Sequence, residues 1–219
     1  MSRRYLYERP PAGPDPSGQR VLSLKAAPEA SGAHEPVTVF VDYENMRLSL
    51  KNAFHSSTGH FDPKKLADLI VSRRRRRSVL TEVRVYRSIA DPSRDRRRAQ
   101  DDMRRMQRWL RNDRLVFVGR PLRYLSQTGV MKEKGIDISL AVDALVNSLE
   151  RQSDVIVVAS RDSDFVPLID ALMHSDAFGR HVELVGVAGL SRVTLPATEL
   201  PWCHFLTHED FESIRDDGQ

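Results

Sequence analysis

The sequence predicts an α/β three-layer sandwich built on a mainly parallel central sheet. Two apolar, β-rich runs, Val37–Asp42 (VTVFVD) and Asp154–Ser160 (DVIVVAS), read as strands buried on both faces. Stretches with helical periodicity lie between the strand-like runs, and strands joined through helices of that length form a parallel sheet covered on both sides. The chain has 219 residues, 40% of them hydrophobic and 29% charged, which suits one packed domain with an appendage.

The appendage is residues 1–35. It carries Pro10, Pro11, Pro14, Pro16 and Pro28 with little apolar periodicity, so it reads as a flexible, basic, Pro-rich tail. Leu22 and Leu24 are its one candidate for an edge strand. The folded domain is assigned to 36–219, its first strand opening at Val37. A helix over Glu44–Phe54 follows, with Met46, Leu48, Leu50 and Phe54 at apolar positions. Asp62-Pro63 starts the next helix, with Asp as N-cap and Pro at the first helical position, and this helix runs into Arg73–Arg77. Leu80–Ile89 is a strand. Ser93–Asn112 is a long helix with Ala99, Met103, Met106 and Leu110 at spacings of four, three and four. Leu115–Val118 is a strand, and Asp137–Glu150 a helix whose broad apolar surface implies burial between layers. After the central strand come a helix over Ser163–His174 and a strand over His181–Val187.

The formal net charge of +4 conceals a division. Residues 73–123 hold 18 arginines against 6 acids, whereas residues 133–219 hold 16 acids against 6 basic residues. A chain divided in this way suits a polyanion binder with a separate carboxylate cluster, or simply two solvated faces of opposite sign. The longest apolar run, Val155–Ala159, falls far short of the ~20 residues a membrane helix needs. The N-terminus lacks the apolar stretch of a signal peptide. A single cysteine, Cys203, excludes an intramolecular disulfide framework and an all-cysteine metal site. The expected location is the cytoplasm.

In open parallel sheets ligands bind where the strands end. The first strand closes as Val41-Asp42-Tyr43-Glu44-Asn45 and the central one as Ser160-Arg161-Asp162-Ser163-Asp164, while Asp137 stands at a helix start. Each of these acids also suits a turn or a helix cap. Together they converge on one rim, where carboxylates repel one another unless a cation neutralises them. A hard divalent ion, Mg²⁺ or Mn²⁺, is the natural partner for such oxygen donors.

The blocks Val39–Asn45, Lys134–Asp143 and Val158–Ile169 resemble the NYN domains of the PIN-like nuclease superfamily, and the likeness is strongest over residues 37–190. The Asp162-Ser163-Asp164-Phe165 block after an apolar strand, paired with Lys134-Gly135-Ile136-Asp137 before a helix, is a specific combination. The resemblance implies a PIN-like, Rossmann-like fold and a metal-dependent ribonuclease. It places Asp42, Asp137, Asp162 and Asp164 on the family's acidic positions and Asn45 on a companion polar position. The chain departs from the family at Arg161, where a small residue is common, and in its Arg-rich insert.

On this reading Asp42, Asp137 and Asp162 hold Mg²⁺ or Mn²⁺, and Asp164 completes a second metal site or orients a water. Asp143 lies six positions past Asp137, about 600° around the helix, and so is assigned a supporting or lysine-pairing role. Lys132 and Lys134 are candidates to hold the scissile phosphate. Arg73, Arg74, Arg75, Arg76 and Arg77 have no acid beside them in sequence and are assigned to phosphate contacts next to the pocket. Tyr86, Trp109 and Tyr124 are candidate stacking partners for unpaired bases, with packing the stronger reading for Trp109. Cys203, His204 and His208 lack a second ligand pair for zinc. The expected substrate is single-stranded RNA, with single-stranded DNA left open. The competing readings are a non-catalytic RNA-binding or regulatory module on the same fold, docking a protein partner or second copy through its acidic half, and a phosphohydrolase of small nucleotides.

Overall fold

The structure of the chain is a computed structural model that describes residues 34–124, 131–132, 135–175, 180–190, 193 and 200–216, with only the backbone of 123–124 and 131–132. The expected alternation is present. β1 (Glu35–Asp42) leads into α1 (Tyr43–Ala53) and α2 (Pro63–Ser72), then β2 (Ser78–Ile89), α3 (Arg96–Trp109) and β3 (Leu115–Pro121). A short antiparallel pair, β4 (Arg123–Tyr124) and β5 (Met131–Lys132), precedes α4 (Ile136–Leu149). The second half continues through β6 (Val155–Ala159), α5 (Val166–His174), β7 (His181–Val187), β8 (Trp202–Leu206) and α6 (His208–Ile214).

The main sheet has six strands in the order β3-β2-β1-β6-β7-β8, and every neighbouring pair is parallel. The chain builds outward from β1 in one direction, then returns to its other side and builds outward again. That reversal leaves a crevice between β1 and β6, the position where open α/β sheets bind ligands.

Strand alternation divides the core into two layers. Val37, Val39 and Val41 face α1, α2 and α6, together with Tyr43, Leu66, Ile70, Trp109, Phe211 and Ile214. Phe40, Tyr86, Ile156 and Val158 face α4 and α5, together with Ile136, Leu140, Phe165 and Leu172. Asp42 shares the second face with Phe40 because side chains two apart on a strand point the same way.

The local signals explain most boundaries. Asp62 accepts from the backbone N–H of Lys64 and Lys65 with Pro63 opening α2, as the Asp-Pro pair predicts. Gly59, between α1 and α2, has a φ of +70°, and a Cβ there would meet the Arg47 carbonyl at 2.2 Å. No other residue type fits that close approach without moving backbone.

Two expectations are corrected. The broad apolar surface of α4 is not buried all round: the helix seats Ile136, Leu140 and Ala144 on the sheet, while Ile138, Val142 and Leu149 face outward. Small residues at Ala144 and Ser148 let that side approach the strands closely, which decides between two apolar faces. The stacking candidate Tyr86 is buried in the core, while Trp109 packs as its stronger reading has it, with its ring centroid 4.8 Å from that of Tyr43. On α3, Arg105 and Arg108 reach Asp216, at 3.3 and 3.0 Å. Tyr124's side chain, the Leu22–Leu24 strand and the rest of the N-terminal tail lie outside the described residues. The described domain begins slightly early, with Glu35 already in β1.

A pH-dependent element sits under α1. The Tyr43 hydroxyl lies 2.9 Å from His60 Nδ1. Burial, reinforced by the positive charges of Arg105, Arg87 and Arg47, lowers the His60 pKa to about 3. Between pH 6.5 and 3 the unfolded chain therefore binds a proton at His60 that the folded chain refuses, so stability falls as pH falls through that window. The loss is at most about 1.4 kcal/mol per pH unit, less in practice because His60 is only half-buried. Denaturant unfolding from pH 7 to 4 should show this slope in the wild type and a reduced one in His60→Gln; identical slopes would assign the acid sensitivity elsewhere.

Candidate active site

The crevice between β1 and β6 is closed by side chains from both strand ends. Asp42 ends β1 and is 5% exposed. One of its oxygens accepts the Asn45 N–H at 3.3 Å, which caps α1, and the other accepts the Ser160 hydroxyl at 2.9 Å. Ser160 Oγ also accepts the Asp162 N–H at 3.1 Å, and the Asn45 side-chain oxygen accepts the Arg161 N–H at 2.9 Å. The Ser160–Asp42 and Arg161–Asn45 bonds fasten the loop after β6 to the end of β1, and the other two shape each side locally. Arg161 turns away from the crevice to reach Ser49 Oγ at 3.1 Å, so its bulk lies along α1.

Asp162 accepts the Asp164 N–H at 3.0 Å and so caps the short 3₁₀ turn Ser163–Phe165 that leads into α5. The capping roles open to Asp42 and Asp162 from sequence are thus both realised. Asp137 differs. The N-cap of α4 is Gly135, at φ +81° with no side-chain cap, which puts Asp137 inside the first turn. Its carboxylate makes no hydrogen bond or ion pair among the described residues. Asp137 is solvent-exposed, yet partial desolvation raises its pKa, and the negative charges of Asp162 and Asp164 raise it further. The structure therefore brings Asp137, Asp162 and Asp164 within electrostatic reach of one another at the end of the crevice that Asp42 lines.

This donor set is all oxygen and mutually repulsive, which is the chemistry a hard divalent cation relieves. Among the described residues no three His, Cys, Asp or Glu side chains stand close enough together to chelate an ion. Asp42, engaged by Ser160 and the Asn45 N–H, would have to share its oxygens to ligate one. The residues suit such an ion by chemistry, and the carboxylates of Asp137 and Asp164 are the two that make no hydrogen bond or ion pair among the described residues.

A family model for the NYN domain matches residues 36–199. The chain belongs to the NYN domain family. This is a PIN-like, nuclease-type domain, and its match spans β1 to β7 and both acidic strand ends. The crystal structure of a protein of unknown function from Vibrio parahaemolyticus RIMD 2210633 shares the fold, with a TM-score of 0.56 at 17% identity, over 83% of this chain and 98% of that one. No curated protein matches the chain.

The remaining assignments distribute over the NYN fold unevenly. Asn45 positions the rim, as described. Asp143 lies deeper: its carboxylate accepts the Tyr86 hydroxyl at 2.8 Å and sits 3.6 Å from Arg84, so its partners are a tyrosine and an arginine and not a lysine. Lys132 contributes backbone to β5, and its side chain, like the whole of Lys134, lies outside the described residues. His204 is buried against Glu183 at 2.8 Å and Cys203 packs in the core, in keeping with structural roles.

The arginine run is corrected in position. Arg73–Arg77 precede β2, at the end of the sheet where strands begin, whereas the carboxylates lie where strands finish. The eight residues of β1 separate the two ends by roughly 20 Å. Nor is the run without acids. Arg73 binds Asp210 through two nitrogens; Arg74, 4% exposed, binds Glu35 at 2.9 Å and Glu183 at 3.0 Å; Arg76 binds Glu35 at 2.9 Å. The cations at the carboxylate end are others: Arg94 on the β2–α3 connection, Arg96 and Arg97 in the first turn of α3, and Arg120 near the end of β3, all exposed. Arg120 donates to Ser139 Oγ at 3.0 Å, within two residues of Asp137. Sequence reasoning passed over these because the uninterrupted run drew the charge signal to itself.

Proposed function

We propose that this NYN domain is a metal-dependent endonuclease that hydrolyses phosphodiester bonds in single-stranded RNA. The observation that carries the reading is Asp137, a carboxylate with no partner among the described residues, its pKa raised by partial desolvation and by Asp162 and Asp164 at a sheet switch point. A carboxylate kept under repulsion in the binding crevice of a nuclease-type fold is accounted for by a cation. Asp42, Asp137 and Asp162 would hold Mg²⁺ or Mn²⁺, with Asp164 completing the set or orienting the attacking water. The ion, when bound, supplies charge neutralisation at the phosphate and a lowered pKa for that water.

The protein's own share is positional. Asp42 and Asn45 fix the loop that carries Asp162 and Asp164, so these two carboxylates are held at a set distance from Asp137. Arg94, Arg96, Arg97 and Arg120 offer sequence-independent phosphate contacts on the same rim. Unpaired strands suit an exposed rim of this kind better than a stiff duplex does.

The test is incubation of the full chain with end-labelled single-stranded RNA in Mn²⁺ or Mg²⁺, with and without EDTA, beside a matched single-stranded DNA. Internal cleavage is expected with either ion and none with EDTA, and RNA should be cut in preference to DNA. Ca²⁺ should support little cleavage, because its looser coordination places the water poorly. Binding of RNA with no stimulation by Mn²⁺ would replace the nuclease with a binding module.

A further inference from the structure

At the end of the sheet where strands begin lies a cavity of about 220 Å³, on the far side of the molecule from the carboxylate crevice. Arg73, Arg74, Arg75 and Arg76 form one wall. His181 and Glu183 of β7, with Trp202 and His204 of β8, form the other. Glu183 is the sole carboxylate in the lining, and both its oxygens are engaged. Oε1 takes Arg74 Nε and His181 Nε2, each at 3.0 Å, and Oε2 takes His204 Nε2 at 2.8 Å. Arg73 and Arg76 are drawn toward Asp210 and Glu35, while Arg75 is exposed and makes no hydrogen bond or ion pair among the described residues. The cavity therefore presents donors and positive charge with its acceptor capacity already used.

The second feature is Trp202. It is 63% exposed, an unusual state for the largest apolar side chain, and it lies at the mouth of a cavity lined with arginine. An anion explains the guanidinium groups but not the indole. A flat aromatic ligand explains the indole but not the guanidinium groups. A nucleotide has both parts. The volume decides how it sits: pockets that swallow a whole ligand run to ~300–1,000 Å³, so this smaller one takes the phosphate and leaves the base outside against Trp202.

We propose that this cavity is a nucleotide-binding site, separate from the carboxylate crevice, in which Arg75 and its neighbours receive a phosphate and Trp202 stacks on the attached base. Arginine forks suit phosphate geometry, and base–aromatic stacking tolerates any base. The nucleotide is either free or one unit of an RNA strand, and the chemistry is shared.

Isothermal titration of the full chain with AMP, a six-nucleotide oligoadenylate and inorganic phosphate, all in EDTA, reads binding without cleavage. Its outcome is therefore independent of whether the chain is a nuclease. Arg75→Ser and Trp202→Ala alter exposed side chains and leave the core intact. Arg75→Ser should weaken phosphate and nucleotide alike by roughly tenfold. Trp202→Ala should weaken the nucleotide by roughly 5- to 100-fold and leave inorganic phosphate unchanged. Oligoadenylate binding well above AMP identifies an RNA strand as the source; equal affinities identify the free nucleotide. Binding of neither AMP nor oligoadenylate, or binding that responds to neither substitution or to only one of them, overturns the assignment.

Discussion

Asp137→Asn and Asp162→Asn should each reduce RNA cleavage by roughly 10²–10³-fold while leaving RNA affinity within a factor of a few. The magnitude is that of removing one electrostatic contact to the developing charge of a transition state. The two variants should differ in stability, and that difference separates a catalytic from a structural role. Asp137 has no partner to lose among the described residues, and its charge is disfavoured by partial desolvation and by Asp162 and Asp164. Its amide should therefore melt at the same temperature as the wild type in EDTA, or slightly above. Asp162→Asn retains a capping oxygen for the Asp164 N–H and should cost little. Single-turnover cleavage in Mn²⁺ beside thermal unfolding in EDTA gives both readouts. Undiminished cleavage by both variants would remove the carboxylates from the chemistry.

Arg87→Leu should destabilise the domain by ~3–5 kcal/mol, a fall of roughly 10 °C in melting temperature. Arg87 is 4% exposed on β2. It holds Glu44 at 3.0 Å and Asp102 at 2.7 Å, and its guanidinium lies 4.9 Å over the Tyr43 ring. Burial alone would raise Glu44, but Arg87 and Arg47 hold its carboxyl below the usual range. Leucine fills the space, strands the buried Asp102 and leaves the half-buried Glu44 with Arg47 alone, which is the costly half of breaking a buried pair. Adding Glu44→Gln and Asp102→Asn should recover most of the loss, because the penalty is one of uncompensated charge. Denaturant midpoints of the single and triple variants test this; equal losses in both would mean that Arg87 acts through packing alone. Because Arg87 ties α1 to α3 through β2, the variant also loosens the α1 end of the acidic rim.

Both expectations concern charges, and charges show where sequence stops. The strands, the order of the acidic motifs and the family were all carried locally. VTVFVD and DVIVVAS declare themselves as strands by their own composition; Asp42 closes the first, and Asp162 and Asp164 follow the second by two and four residues. Parallel pairing followed too, since strands joined through helices pair in parallel, but the order β3-β2-β1-β6-β7-β8 came from the tertiary structure. The last strand and helix were legible too. Trp202–Leu206 is a short β-rich run, and Thr207 with Asp210 three residues on is a capping box, a signal left unused.

What the sequence by itself determined was therefore every feature whose cause lies within a few residues: element type, caps, and which acids stand at strand ends. Only the tertiary structure decided which partners a charge finds and which end of the sheet it occupies. Arg73 and Arg74 meet Asp210, Glu35 and Glu183 across 137, 39 and 109 residues. Arg73, Arg74 and Arg76 look unpaired in the chain because their acids arrive on β1, β7 and α6. The same holds for α4, where two apolar faces were equivalent until small residues let one approach the sheet. Electrostatic and packing energies depend on distance through space, and separation along the chain says nothing about that distance until the strands have been ordered.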